Sequence, residues 1–253
     1  MFKSKVVSDS KLDQTQIVRR YLDLPKYLEL LRTRSLYLRR VDLFSDRFEG
    51  AIPPLMRQAM DDQYVYDLAK LNADQFWERT RKGNYLSCWN MDAKDNMALW
   101  QLYGGASASV AITTTVEKLM GVTCRWEREA VINKVSYVDH FKNPDMVIGK
   151  YPDLLKFKHL AYAYERELRI IVPQQVNDLS TNPDALHLPI DDLNDFIRSV
   201  VVAPEAGPWF YDLIKDVTGK YGLTSPVRRS KLTYLPLDGN YPSTEVEADT
   251  HDI

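Results

Sequence analysis

The segment Ala161-Tyr-Ala-Tyr-Glu-Arg-Glu-Leu-Arg-Ile-Ile-Val-Pro173 gathers the groups most able to do chemistry. Read as a strand, its two-residue alternation sends Glu165, Glu167 and Arg169 to one face and Tyr164, Leu168, Ile170 and Val172 to the other. The apolar run Ile170-Ile171-Val172 is then the end that enters a core. Carboxylates two residues apart on one strand face repel each other, and desolvation raises the cost. Arg169 can offset one of them, which makes the set either an ion-pair network or a site. Two carboxylates against one guanidinium leave negative charge, the means to stabilise a developing cation.

A second acidic segment, Phe44-Ser-Asp-Arg-Phe-Glu-Gly50, sets Asp46 and Glu49 between two aromatics. Its simplest reading is a turn in which Asp46 caps backbone amides while Phe44 and Phe48 anchor the loop. Trp100 and Tyr103, three residues apart, share one face of a short helix, the spacing of core packing. The four histidines (His140, His159, His187 and His251) are scattered and read as surface or packing residues. Cys88 reads as buried filler, and with only Cys88 and Cys124 there is neither a disulfide framework nor metal-ligand spacing. No phosphate-cradling glycine loop and no Gly-x-Ser-x-Gly elbow occurs, which argues against P-loop, dinucleotide-fingerprint and α/β-hydrolase chemistry.

The elements that must position these groups follow from pattern and punctuation. Strands are expected at Gln16–Leu22, Ser35–Val41, Tyr85–Trp89, Ser109–Thr115, Val131–Val138, Ile197–Ala203 and around Val227–Leu235. Helices are expected after Leu24-Pro25, over much of Leu55–Thr80, at Met97–Tyr103 behind Asp95-Asn96, at Val116–Met120, at Pro152–Tyr162 and at Trp209–Tyr221. Unequal helices between short strands predict an α+β fold, a mixed, split or strongly bent β-sheet flanked by helices in a single domain over residues 1–236. The acidic, turn-rich stretch 237–253 is expected to be a disordered tail. A net charge of −2 gives no general basic footprint for nucleic acid. No signal-like N-terminus or membrane-length apolar run is present, so a cytoplasmic location is expected.

Several motifs in one order resemble a bacterial family known only as domain of unknown function 2971. They are Arg20-Tyr21, Leu36-Tyr-Leu, Phe44-Ser-Asp-Arg-Phe-Glu49, Ser87-Cys-Trp89, Met97-Ala-Leu-Trp-Gln-Leu-Tyr103, Val135-Ser-Tyr137, Tyr164-Glu-Arg-Glu-Leu-Arg169 and Ile197-Arg-Ser-Val-Val-Val202. The chain departs from that family's usual acidic loop at Ser45 and Arg47, where asparagine and proline are typical. The family resemblance implies a phage-defence or toxin setting. More distantly, an Arg-bearing strand, a Ser-bearing strand and a Glu-x-Glu strand, in that order, resemble ADP-ribosyltransferases of the Arg-Ser-Glu kind. That second resemblance implies NAD as substrate and no metal. It implies Arg20 (or Arg19) on the phosphates or ribose and Ser87 as a buttress. Glu167 becomes the catalytic carboxylate and Glu165 the group orienting the acceptor. Trp89, Trp100 or Tyr103 is available to stack on nicotinamide, with Tyr21 and Arg169 beside the cofactor.

The chemistry is coherent, because nicotinamide–ribose cleavage passes through an oxocarbenium-like state that a nearby carboxylate stabilises. The expected function is therefore ADP-ribosyl transfer, or NAD hydrolysis, with an unknown protein or nucleic-acid acceptor. Two rivals stand beside it. A metal-dependent nuclease would use Asp46, Glu49, Glu165 and Glu167 with Arg39, Arg40, Arg228 and Arg229 as basic contacts. A non-enzymatic sensing or interaction module would use the same acids only structurally.

Overall fold

A computed structural model describes residues 6–8, 12–66, 71–92 and 94–234, with backbone alone at 6–8 and 63–66; the stretch expected as a disordered tail lies outside them. In chain order the strands are β1 (Val6–Ser8), β2 (Ile17–Asp23), β3 (Ser35–Arg40), β4 (Asn84–Asn90), β5 (Ser109–Thr115) and β6 (Ala130–Lys134). They continue with β7 (Ser136–Val138), β8 (Phe157–His159), β9 (Glu167–Pro173), β10 (Ala185–Pro189), β11 (Ser199–Val202) and β12 (Val227–Arg229). The α-helices are α1 (Leu24–Thr33), α2 (Pro54–Tyr66), α3 (Ala73–Lys82), α4 (Met97–Tyr103), α5 (Val116–Arg125), α6 (Tyr151–Leu154), α7 (Leu193–Phe196) and α8 (Pro208–Lys220). The fold class is the expected one, α+β with a mixed, unclosed sheet flanked by helices.

The chain forms two compact units, each assembled from separate stretches. Among the described residues, the first takes 6–8, 12, those within Leu36–Cys88, and Thr123–Leu188; the second takes Asp13–Ser35, those within Trp89–Val122, and 189–234. Strand β4 crosses the boundary between Cys88 and Trp89, which explains why no linker composition marks it in the sequence.

In the first unit β9 pairs antiparallel with β6, opposing Arg169 to Asn133 and Ile171 to Val131, and β1 adds in parallel to β6. On its other side β9 neighbours β4, which also pairs β3, and β3 pairs β10. Every residue of β9 from Glu167 to Val172 is buried. Ile171 packs with Val41, Leu86 and Leu155, edged by Phe44, Cys88 and Val131. Arg169 and Glu167 share parity with Ile171, so this apolar face runs directly into their charged end.

In the second unit β2 and β5 pair antiparallel along seven residues, from Ile17↔Thr115 to Asp23↔Ser109. Strand β11 adds antiparallel to β5, and β12 adds in parallel to β11. Asp23 caps α1 by accepting the Lys26 N–H, with Pro25 in the first turn as expected. Asn96 alone caps α4, accepting the Ala98 and Leu99 N–H groups.

Three expectations need correction. The predicted strand through Glu165 is a 3-10 turn, Leu160–Glu165, closed by Arg166 at φ 44°, and β9 starts only at Glu167. A left-handed residue breaks extended backbone, and the alternating charges of Glu-Arg-Glu concealed it. The predicted helix Pro152–Tyr162 is the single turn α6, followed by β8 and that 3-10 turn. The predicted strand Val131–Val138 divides into β6 and β7, which belong to different sheets, β7 pairing with β8.

Candidate active site

A buried set of five ionisable side chains gathers at the start of β9 in the first unit. The Arg169 guanidinium, fully buried, is bidentate with Glu49: Nη1 donates to Oε1 at 2.5 Å and Nη2 to Oε2 at 2.9 Å. Its Nε donates to Glu167 Oε2 at 2.7 Å, and Nη1 also reaches the Leu155 carbonyl at 2.9 Å. The Lys158 ammonium donates to Glu167 Oε1 at 2.6 Å and to Glu165 Oε2, and stands 4.6 Å from the centre of the Tyr162 ring. The Tyr137 hydroxyl accepts the Glu167 N–H at 2.8 Å. Thus Glu49, Glu165 and Glu167 share two cations, an excess of one formal negative charge if all ionise.

Local sequence places each member. Residues 167 and 169 are two apart on one strand, so the carboxylate and the guanidinium share a face. Glu49 arrives through a tight turn in which Asp46 Oδ1 accepts the Phe48 N–H at 2.8 Å. The turn ends at Gly50 with φ 74°, and a Cβ there would also crowd Thr80 Cγ2 at 3.1 Å. Lys158 is delivered by β8, and the left-handed Arg166 folds Glu165 back so that both carboxylates meet one ammonium.

The electrostatics separate the two carboxyls. Burial alone would raise Glu167, but the Arg169 guanidinium, a hydrogen bond from Glu165 and the Lys158 ammonium hold it well below the usual carboxylate range. Burial pushes Glu165 up to about 7, helped by its hydrogen bond to Glu167 and the charge of that neighbour. Glu167 is therefore the fixed anion, and Glu165 carries a proton that exchanges near neutrality. Burial also raises the Cys88 thiol, with the Glu167 charge adding to it, which suppresses the thiolate a nucleophile needs.

The remaining residues singled out from sequence fall elsewhere. Ser87 is fully buried in β4. Leu86 and Cys88 lie on the core face with Ile171, so strand alternation turns Ser87 to the opposite face from Glu167 and Arg169. Arg19, Arg20, Tyr21, Trp89, Trp100 and Tyr103 belong to the second unit. There the two adjacent arginines diverge. Arg19 forms a buried ion pair with Asp95, whose other oxygen accepts Ser230 Oγ at 2.5 Å and the Lys231 N–H at 3.2 Å. Arg20 instead lies 5.9 Å from the Trp89 ring, and Trp89 packs edge-on against Phe196. Tyr21 meets Trp100 edge-to-face at 4.8 Å, and its hydroxyl accepts the Asn96 N–H at 3.3 Å. Trp100 is buried whereas Tyr103 is exposed, so the two do not share one packed face.

Lys158 carries no signal in the sequence, because β8 lies where the pattern predicts a helix. Glu49 reads as a turn residue or a nuclease carboxylate, since its Arg169 partner lies 120 residues away.

No family model matches the chain, and no curated protein matches it. Among solved structures the chain is similar to Thermus sp. 2.9 DarT in complex with NAD+, at 8% identity and a TM-score of 0.43, covering 89% of this chain and 100% of that one. It is similar to the same protein in complex with carba-NAD+, at 8% identity and a TM-score of 0.40, covering 87% and 98%. A third likeness is to that DarT in complex with ADP-ribosylated ssDNA, at 9% identity and a TM-score of 0.42, covering 87% and 96%. Likenesses this distant assign no activity.

Proposed function

We infer that the protein cleaves the nicotinamide–ribose bond of NAD and passes ADP-ribose to an acceptor or to water, with Glu167 and Glu165 as the acting carboxylates. The observation that carries this reading is the buried carboxylate pair: Glu167 is held by Arg169 Nε and Lys158, and Glu165 shares the same Lys158 ammonium, an environment that keeps Glu167 low and pushes Glu165 up to about 7. As the bond to nicotinamide breaks, its electron pair leaves with the ring and positive charge builds on the ribose. A fixed anion stabilises that charge. With Glu165 in its ionised form, the attacking hydroxyl or water then loses its proton to that carboxylate as its oxygen bonds to the ribose carbon. Lys158 and Arg169 act through the carboxylates, fixing their position and the ionisation of Glu167. The NAD-contacting set implied by the sequence resemblance (Arg19 or Arg20, Tyr21, Trp89, Trp100, Tyr103) is proposed with it, and Ser87 as a supporting residue of β4.

The test is release of nicotinamide from NAD, and transfer of label from NAD to protein and nucleic-acid acceptors, by the wild-type chain and by Glu167→Gln. The expected result is turnover that falls about 100-fold or more in the variant, with folding checked by thermal melting. Absence of both nicotinamide release and label transfer in the wild type overturns the reading. For the cofactor side, Arg20→Ala is expected to raise the KM for NAD more than it lowers kcat.

A metal-dependent nuclease has less support. Glu49 and Glu167 are committed to Arg169, and among the described residues no group of three or more His, Cys, Asp or Glu is placed to hold a metal ion.

A further inference from the structure

The turn that carries Glu165 is capped by a histidine. His159 ends β8, and its Nδ1 accepts the Ala161 N–H at 3.2 Å, a donor left open at the start of the 3-10 turn Leu160–Glu165. An accepting Nδ1 carries no proton, so the neutral ring holds its hydrogen on Nε2. Asp, Asn, Ser and Thr are the usual caps, and their oxygens accept a hydrogen bond throughout the neutral range. The chain uses such caps elsewhere: Asp139, Asp178 and Ser230 cap the 3-10 turns His140–Lys142, Leu179–Thr181 and Lys231–Thr233. Among the described residues, the Glu165 turn is the 3-10 turn whose side-chain cap is lost when a histidine takes up a proton.

Packing holds the ring in that role. The His159 imidazole stacks on His140, with centres 5.9 Å apart and planes 13° apart, and meets Phe48 at 5.2 Å and Phe141 at 5.8 Å. Alternation along β8 turns the adjacent Lys158 the other way, into the carboxylate network, where its ammonium donates to Glu165 at the far end of the same turn. The turn is thus fixed at its start by His159 and at its end by Lys158. His159 is half-buried, so solvent protons reach it. The charged and titratable groups around it come from three segments. One supplies His140 and Asp139, the latter paired with Lys142 at 3.4 Å. The Phe48 turn supplies Asp46, and its own segment supplies Lys158, Tyr162, Tyr164 and Glu165. Strand β7 sets the uncharged Val138 opposite it. Burial, then the neighbouring His159, lowers the pKa of His140, which keeps the stacked ring neutral.

We propose that His159 is a positioning residue: its neutral ring caps the turn that brings Glu165 to Lys158 and Glu167, and protonation of Nδ1 releases that turn. The proton comes from water, and the lone pair that accepted the Ala161 N–H becomes an N–H bond. Two donors then face each other, so the cap is lost and Glu165 leaves its fixed place beside Lys158. The link to catalysis rests on the reading of Glu165 as the base, whereas the capping role does not. Acid protonates Glu165 as well, so falling pH removes the base and loosens its support together.

The test is NMR of the full chain without NAD, following the His159 ring nitrogens, exchange of the Ala161 amide and titration of the Glu165 carboxyl. The expected result is a neutral His159 protonated on Nε2, with Ala161 protection from exchange falling about tenfold as the ring takes up its second proton. His159→Asn, which keeps an accepting oxygen at the cap, should hold that protection from about pH 5 to 8. His159→Phe, which keeps a ring but no acceptor, should lose it throughout. In that variant Glu165, freed from burial, should titrate nearer the ordinary 4.5 than 7. In nicotinamide release, His159→Phe should lower kcat about tenfold with the KM for NAD unchanged. His159→Asn should restore kcat and make the acid side of its pH profile less steep. A neutral His159 protonated on Nδ1, Ala161 protection indifferent to the ring's protonation, or an unchanged Glu165 titration in His159→Phe overturns the proposal and leaves His159 as packing. An unchanged kcat for His159→Phe in an active chain overturns it too. The NMR readouts need no turnover, so a chain that does not cleave NAD overturns the transferase reading and leaves the cap to be decided by them.

Discussion

Strands β9 and β2 each carry charged pairs into a buried sheet, and they use them in opposite ways. On β9, Glu167 and Arg169 are two residues apart, share a face, and join one network with Glu49, Lys158 and Glu165. On β2, Arg19 and Arg20 are adjacent, so the pleat turns one to Asp95 and the other to Trp89. Spacing of two makes charged groups partners, and spacing of one separates them. The β9 network is closed, every cation meeting two carboxylates. Each β2 arginine holds a separate local contact.

Removing the hub of the closed network has the largest expected effect. Arg169→Met leaves Glu49 and Glu167 facing each other in the core, and urea denaturation should show a loss of about 3–5 kcal/mol. A loss below 1 kcal/mol would mean that the buried carboxyls take up protons at little cost, and the contrast with β2 would weaken. Glu165 tests the same network through pH. Its folded pKa of about 7 lies above the ordinary glutamate value of 4.5, so the folded state binds the extra proton. Its contribution to stability is full below about pH 4.5, and falls as pH rises through 7. From pH 5 to pH 8 the stability of Glu165→Gln should therefore gain on wild type, by up to about 3 kcal/mol, read from paired denaturation curves. Glu167, held low, has the opposite sign: its contribution is present above the ordinary carboxylate range and is lost only at strongly acid pH.

On β2 the expected effects are smaller and unequal. Arg19→Met breaks a buried ion pair and should cost about 1.5–3 kcal/mol. Arg20→Met should cost about 1 kcal/mol through the lost cation–π contact. Equal costs in thermal melting would show that the pleat does not separate their roles. The smallest expected effect is at the surface: Lys82→Met on α3 breaks an exposed i,i+4 pair with Glu78 and should change stability by about 0.3–0.5 kcal/mol.

Much of the fold was legible. The α1 start at Asp23 and Pro25, the Asn96 and Gly104 ends of α4, and strands β2, β4, β5 and β11 follow from caps, turn residues and apolar alternation. Those signals act within a few residues, where sequence is local structure. The segment 151–166 was not legible: α6, β8 and the 3-10 turn are each three to six residues long and mix polar with apolar residues, without the continuous apolar run that marks the equally short β11. Strand β10 escaped for the same reason, having five residues and its partner β3 far back in the chain.

The sequence by itself determined that Glu167 and Arg169 would lie side by side at the entrance of a buried strand, because two-residue alternation leaves no other arrangement. It also determined that Asp46 and Glu49 would sit in a turn, with Asp46 capping backbone amides and Phe44 and Phe48 as anchors. Only the tertiary structure decided that Glu49 reaches Arg169, that Lys158 bridges Glu165 and Glu167, and that His140 stacks on His159. Those contacts join residues brought together by separate turns and strands, and the ionisation of a buried carboxyl depends on which charges surround it in space. Alternation along a strand can name a charge's nearest neighbour; only packing supplies the rest of its surroundings.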